Sequence, residues 1–266
     1  MRTEQPFFSI ITASLNNAST LGDTLHSIST QRFKRFEHIV IDGGSQDDTL
    51  RILESHQDKY NLHWISEPDD GIADALNKGI KLSIGKYILV IQADDYLISD
   101  DVLTEVYSLL SDEIFDIYSF PVFVVYQSGT EVLYRPRKYT KLRYHFKNIF
   151  PHQGTFVHKR AYDSVGLFRN ELKISMDYDF FYRCMNARRP FCKGNVPIAV
   201  WRGEGVSDTE KYKRIKEEIR VQDLNENSKL WRTAQRLFRI FYLPYRKLHS
   251  IVHDTARPNK NPDSIN

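Results

Sequence analysis

Between residues 7 and 91, short apolar runs alternate with stretches of helical periodicity, an order few folds accommodate. Residues 7–13, 37–41, 62–65 and 87–91 read as strands. Between them, 19–30 places Leu21, Leu25 and Ile28 at helical spacing. Residues 47–57 turn Leu50, Ile52 and Leu53 inward, and 71–84 carry Ile72, Leu76 and Ile80 on one stripe. Ser19 is the expected cap of the first helix. The strands are nearly continuous apolar runs, as in parallel strands buried on both faces. The expected class is therefore α/β, a mostly parallel central sheet flanked by helices. In such sheets ligands bind beyond the carboxyl ends of the strands. Three polar clusters fall at those ends: 13–16, 42–45 and Asp94-Asp95.

Beyond residue 100 the regular alternation stops. A helix is expected over 101–110, hairpin-type strands over 114–125 and 131–134 around Ser128-Gly129, and a strand over 154–158. A helix over 177–186 and a strand over 196–201 follow. At 266 residues the chain suits one large domain, or a domain with a small appendage, and 41% hydrophobic content can supply its core. A net charge of +3 selects no partner and gives no reason to expect nucleic acid. Cys184 and Cys192 do not make a disulfide framework. Neither a signal peptide nor a membrane-spanning run is read, so a cytoplasmic protein is expected, with the inner face of the cell membrane as a second location.

Asp94 and Asp95 end a buried strand, where adjacent carboxylates repel and resist desolvation. A divalent cation would satisfy them, and hard oxygen ligands suit Mg²⁺ or Mn²⁺. A turn or cap before the next helix is the plain alternative for either of them. "IDGGSQDDT" (41–49) places Asp42 before two glycines, which permit close approach of a ligand or positive φ. An ordinary turn capped by Ser45 or Asp47 fits those residues as well. Neither a dinucleotide fingerprint nor a P-loop is present.

Taken together, the clusters say more. "FSIITASLN", "HIVIDGGSQDDT", "EPDDGIADALNKGI" and "GKYILVIQADD" occur in this order, and over 7–205 the chain resembles the family 2 glycosyltransferases, whose fold is called GT-A. The stretch "FPHQGTFVHKRAYDSVGLFRNELKISMDYDFFYR" (150–183) is similar to the acceptor-side half of bacterial members that build surface polysaccharides such as O-antigen and capsule. The expected organisation is a catalytic domain over 1–205, which carries the resemblance, then a basic helical extension over 206–256 read from its charge and spacing, and a frayed tail over 257–266 read from its Pro, Asn and Asp content. The resemblance assigns Asp42 to the nucleotide base and Asp94-Asp95 to the metal, Mn²⁺ or Mg²⁺, with Asp95 the direct ligand. Ala13 and Asn16 lie where the first loop passes the nucleotide. Asp70, Gly71, Asp74 and Asn77 lie near base and sugar, although Asp74 can equally solvate its helix. Asp177 is implied as catalytic base, with a helix N-terminal acid as the plain alternative. Met176 departs from the family, standing where glutamate is usual, which puts an acceptor-side polar contact in doubt. His152 and Gln153 are expected to face acceptor or diphosphate, against a purely structural hydrogen-bonding role for His152. Arg202 or Lys211 would neutralise phosphate.

The implied activity is inverting transfer from a nucleotide-diphospho-sugar, UDP-linked by preference, to a hydroxyl of a glycan or polyprenyl-diphosphate-linked saccharide. Met176 leaves open a catalytically weak or inactive nucleotide-sugar-binding protein of a polysaccharide assembly complex. A nucleotidyltransferase would want glycine and lysine in the first loop, and "ASLNNAST" has no lysine or glycine. At the other end, no acid occurs between Glu226 and Asp254, where Lys229, Arg232, Arg236, Arg239, Arg246 and Lys247 lie. Leu230, Ala234, Leu237, Phe238, Phe241, Tyr245 and Leu248 follow helical spacing among them, with Trp231 near the start and Pro244 expected to kink or divide the helix. Two readings follow: a terminal helix packed on the catalytic domain, or an interfacial helix over 229–252 that meets an anionic membrane.

Overall fold

The computed structural model describes residues 5–110, 112, 114–136, 141–203 and 210–255. The tail over 257–266, the 204–209 segment and the Lys211 side chain fall outside them. The alternation forms as expected: β1 (Phe8–Ser14), α1 (Leu21–Ser29), β2 (Phe36–Asp42), α2 (Thr49–Glu54), β3 (Leu62–Ser66), α3 (Ile72–Leu82) and β4 (Tyr87–Val90). Strands β3, β2, β1 and β4 lie side by side and parallel. All seven residues of β1 except Ala13 are buried, as are all of β2 and β4, which is why these strands show no polar alternation.

The second half completes this sheet and adds another. β5 (Tyr96–Leu97), α4 (Val102–Leu110), β6 (Ile117–Ser119), β7 (Val122–Val125) and β8 (Glu131–Tyr134) come next. α5 (Lys141–Phe146), a 3-10 turn at His152–Gly154, β9 (Thr155–His158), α6 (Lys159–Val165), α7 (Met176–Asn186), β10 (Phe191–Lys193) and β11 (Ala199–Arg202) follow. Last are α8 (Lys211–Asn225) and α9 (Lys229–Thr255). The main sheet has the order β10-β6-β9-β4-β1-β2-β3, with β9 antiparallel to both neighbours. A smaller sheet, β5-β11-β7-β8, stands at its carboxyl edge.

Several expectations are corrected. The run 114–125 is two strands in different sheets: Pro121, which has no N–H to donate, separates β6 from β7. The β7–β8 hairpin itself forms. Thr20, not Ser19, occupies the cap position of α1, without a side-chain bond. α2 is shorter than 47–57, because the Asp47 carboxylate is spent on the N–H groups of Ala18 and Thr49 ahead of it. The last strand starts at Ala199 rather than at residue 196. Pro244 does not divide α9, which runs continuously through it. Both cysteines are free.

Candidate active site

Strand order decides which loops meet. The loops after β3, β2, β1 and β4 line up along one edge of the sheet, each about 4.8 Å from the next. Hydrogen bonds staple them together. Asn16, in the left-handed region at φ 54°, accepts from the Gln46 N–H at 2.8 Å, while its own N–H donates to Ser45 Oγ at 2.8 Å. Asp42 is fully buried. Its carboxylate accepts from the N–H groups of Gly44 and Ser45 and the hydroxyls of Ser45 and Ser66, at 2.5–3.1 Å. Three of these donors converge on Oδ2 and one on Oδ1, and with no exposed surface Asp42 shapes the loop. Asp74 and Asn77 also sit away from the cleft. Asp74 pairs with Lys78 one turn along α3 and accepts from Asn170, and Asn77 clamps the 168–170 loop through Phe168 and Asn170.

A cleft of about 380 Å³ runs along this edge. Ala13, Leu15, Asn17, Asp69 and Gly71 line it on one side, Asp94 and Asp95 on the other, with Lys173 over it. Asp95 is 1% exposed and held from three directions. Its N–H donates to the Gln92 carbonyl, its carbonyl accepts from Thr24 Oγ1, and its Oδ1 accepts from the Arg202 N–H at 3.1 Å. Burial, then the Asp94 charge, push the Asp95 carboxyl up to about 7, against the pull of His152, the Arg202 N–H and Gln153. A buried carboxyl lifted that far by desolvation and a like charge fits a cation. Among the described residues no cluster of three or more ligating side chains occurs. A cation here would therefore complete its shell with ligand oxygens or water, as Mg²⁺ and Mn²⁺ commonly do. The Arg202 guanidinium pairs with Asp23 Oδ2 at 2.5 Å and lies over the Tyr96 ring, so it is not among the residues lining the cleft and reaches Asp95 only through its backbone N–H.

A second cleft, about 330 Å³, opens on the far side of a shared wall. Gln92, His152, Gln153, Ile174, Met176 and Trp201 face both. Asp177, in the first turn of α7, lines only the second. Its Oδ2 accepts from Asn148 Nδ2 at 2.8 Å and lies 3.8 Å from His152 Nδ1. Burial alone would lower the His152 pKa, but Asp177, Asp95 and Asp94 outweigh it and raise the value. His152 Nε2 is buried without a hydrogen-bond partner among the described residues. Met176 is 8% exposed and belongs to the main core cluster, so the position of the usual glutamate is here an apolar stretch of wall.

Sequence reading passed over four residues that matter. Asp69 lies inside a quoted motif, but its neighbour Asp70 masks which acid faces inward. Asn148 stands just before the 150–183 stretch. Lys173 sits within that stretch without a distinguishing pattern. Glu217 on α8 accepts the N–H groups of Lys173, Ile174 and Ser175 at 2.8–3.0 Å, fixing the loop that leads to Asp177. A contact across some forty residues leaves no local signature.

Residues 9–169 match the family described as Glycosyl transferase family 2. A PGL/p-HBAD biosynthesis glycosyltransferase of Mycobacterium bovis is 30% identical over 189 residues, covering 68% of this chain and 70% of that protein. An uncharacterized glycosyltransferase of Rickettsia prowazekii is 27% identical, covering 67% and 58%. Among solved structures, S. aureus TarS 1–349 in complex with UDP-GlcNAc superposes with a TM-score of 0.68 at 21% identity, over 86% of this chain and 69% of that one. The chain spans 41% of the longer TarS structure. The mannosyltransferase PcManGT from Pyrobaculum calidifontis, in complex with GDP-Man and Mn²⁺, gives 0.68 at 16% identity, over 91% and 72%. The fold is that of GT-A glycosyltransferases, and the chain belongs to glycosyl transferase family 2.

Proposed function

We propose that the chain transfers a sugar, with inversion, from a UDP-sugar bound in the first cleft to a hydroxyl of a saccharide acceptor in the second. One observation carries this reading: the adjacent carboxylates Asp94 and Asp95 line one cleft and Asp177 lines the other, and the two clefts share a wall. Inversion needs a nucleophile on the face opposite the leaving group, and two clefts meeting at a wall allow it. Asp177 accepts the proton of the attacking hydroxyl. Asn148 and the Tyr178 N–H hold the carboxylate in place for that transfer. Asp95, with Asp94, would hold Mg²⁺ or Mn²⁺, which when bound offsets the charge of the diphosphate and of the leaving group. His152, whose Nδ1 stands 3.8 Å from the Asp177 carboxylate and which faces both clefts, lies between that acid and the Asp94-Asp95 pair.

The acceptor is a glycan or a lipid-diphosphate-linked saccharide at the cytoplasmic face of the membrane, in surface polysaccharide or glycolipid synthesis. Relatives named for PGL/p-HBAD biosynthesis support a glycolipid setting. So does α9. Its inward face is partly polar, with Trp231 stacked on His145 at 4.6 Å and Gln235 and Arg239 bonded to His145, Tyr182 and Gln222. Its outward face carries Leu230, Leu237, Ile240 and Phe241, all more than half exposed. That apolar face suits the headgroup level of an anionic leaflet. Among the described residues no helix is long and apolar enough to cross a membrane.

The test is release of UDP on incubation with UDP-sugars, Mn²⁺ and a panel of glycan and lipid-linked acceptors. Acceptor-dependent UDP release and a product of inverted anomeric configuration are expected. Nucleotide binding without transfer to any acceptor would instead favour a non-catalytic sugar-nucleotide-binding protein.

A further inference from the structure

The solved neighbours include one complex with a uridine and one with a guanosine sugar nucleotide, so likeness of fold leaves the base open. Asp42, the residue that family resemblance assigns to the base, is fully buried and engaged by four protein donors. Asp69 is the acid that lines the cleft at its β3 end. Three inter-strand steps, about 14 Å, separate the β3 loop from the β4 loop that bears Asp94 and Asp95. An extended nucleoside diphosphate laid across that edge would bring its phosphates to the paired carboxylates and its base to Asp69.

We propose that Asp69 reads the base of the donor and restricts it to a pyrimidine imide, uracil; this rests on the sugar-nucleotide reading of the cleft. Asp69 Oδ1 is turned inward and accepts the Gly71 N–H at 2.7 Å. Oδ2 has no protein partner among the described residues, and it lies over Gly43. A Cβ at Gly43 would stand 2.6 Å from Oδ2, so a side chain there would displace the carboxylate from this position. Leu15, 54% exposed, comes within 3.4 Å of the same Cβ position and offers an apolar surface to the flat face of a base.

One remaining carboxylate oxygen accepts one donor. Uracil presents a single N–H, at N3, flanked by carbonyls. Guanine presents two adjacent donors, N1–H and N2–H, and its bidentate partner would need both carboxylate oxygens. Cytosine presents a bare N3, whose lone pair would oppose Oδ2. A site built around one buried polar contact discriminates against bases that leave it unpaired or repelled.

The test is calorimetric titration of the full chain with UDP, CDP and GDP, each with Mn²⁺, for the wild type, Asp69→Asn and Asp42→Asn. The wild type should bind UDP at least about tenfold more tightly than CDP or GDP. Asp69→Asn keeps an oxygen for the Gly71 N–H and offers an N–H₂ where Oδ2 was. UDP should weaken about tenfold or more, and CDP, whose N3 now meets a donor, should overtake it. Asp42→Asn should leave the ratio of UDP to CDP affinity as in the wild type. Tighter binding of GDP than UDP by the wild type overturns the proposal without any variant. An unchanged UDP:CDP ratio in a folded Asp69→Asn protein overturns it as well. If the wild type binds no nucleoside diphosphate, the sugar-nucleotide reading itself falls, and this inference with it.

Discussion

The two clefts share a wall but are held together differently. The first is made of loops that follow adjacent parallel strands, stapled by bonds among residues 12–95, such as Asn16 to Ser45, Ser45 to Asp42 and Asp42 to Ser66. The second gathers parts distant in sequence. Asp177 is steadied by Asn148, and the loop before it by Glu217 on α8. Helix α7 is tied back through Asp179 to Arg169 and Asn225. Gln222 on α8 and Gln235 on α9 both donate to the His145 carbonyl on α5, behind α7. A site spread along one sheet edge comes with the sheet. A site assembled from helices and loops depends on each tether, including those from the C-terminal helices.

The strongest test of the contrast is Asp177→Asn. Loss of a general base costs about 10²–10⁴-fold in turnover. The variant should lose transfer by that factor and keep UDP affinity, because Asp177 does not line the first cleft. Near-normal transfer, measured by UDP release, would remove Asp177 from the chemistry. A parallel loss of UDP binding would mean that the two clefts are not independent.

Glu217→Ala asks whether the second cleft truly hangs on α8. Hydrogen bonds to a charged group contribute about 1.5–3 kcal/mol, and here three N–H groups share one carboxylate. A loss in that range is expected in urea unfolding, with transfer reduced more than UDP binding. Glu217→Gln keeps one acceptor oxygen and should recover part of both. If Glu217→Ala unfolds like the wild type, the tether is ornamental and the contrast weakens.

The same difference governs what could be read from sequence. Strands β1 to β4 and their helices were legible because each is a local pattern of fixed period, and strand order then brings their loops together without further information. The pair Asp94-Asp95 was legible as chemistry for the same reason: its cost at a buried strand end demands compensation. Asp42 looked like a ligand because a conspicuous acid beside two glycines is what a binding loop and a self-satisfied loop both display. Only hydrogen-bond geometry separates them. The basic character of α9 was overread in a similar way. Arg239 is buried against Gln222 and Glu218, and Arg232 donates to the Glu226 carbonyl, so two of its cations face inward.

His38 sharpens the contrast from the first half. It is wholly buried between Thr12 and Tyr60, and burial lowers its pKa from 6.5 to about 3. Between those values the unfolded chain binds a proton that the folded protein refuses. Stability therefore falls as pH drops below 6.5, by up to about 1.4 kcal/mol for each pH unit. Urea midpoints at pH 7 and pH 5 should show this loss in the wild type. His38→Gln, although less stable at pH 7, should lose less over the same interval. Equal losses would remove His38 as the source of the acid sensitivity.

The smallest expected effect belongs to the outward face of α9. Removing the helix would be a poor test, since its inward face packs on α5 through Trp231, Gln235 and Phe238 and on α8 through Arg239. Arg236 is the better probe. Its side chain is 72% exposed, and its nearest acid, Asp223 Oδ1, stands 3.8 Å away, also exposed. It lies beside Leu237 and one turn from Ile240, on the side that would meet a leaflet. A basic residue near an anionic surface contributes about 1 kcal/mol, so Arg236→Gln should lower partition onto phosphatidylserine-containing vesicles about fivefold. Vesicles of phosphatidylcholine alone should not distinguish the two proteins, and the charge effect should fade in high salt, since screening shortens its reach to a few ångströms. UDP affinity should stay unchanged, because α9 does not line the first cleft. Equal partition of the two proteins onto anionic vesicles at low salt would leave α9 only its role as packing behind α5 and α8.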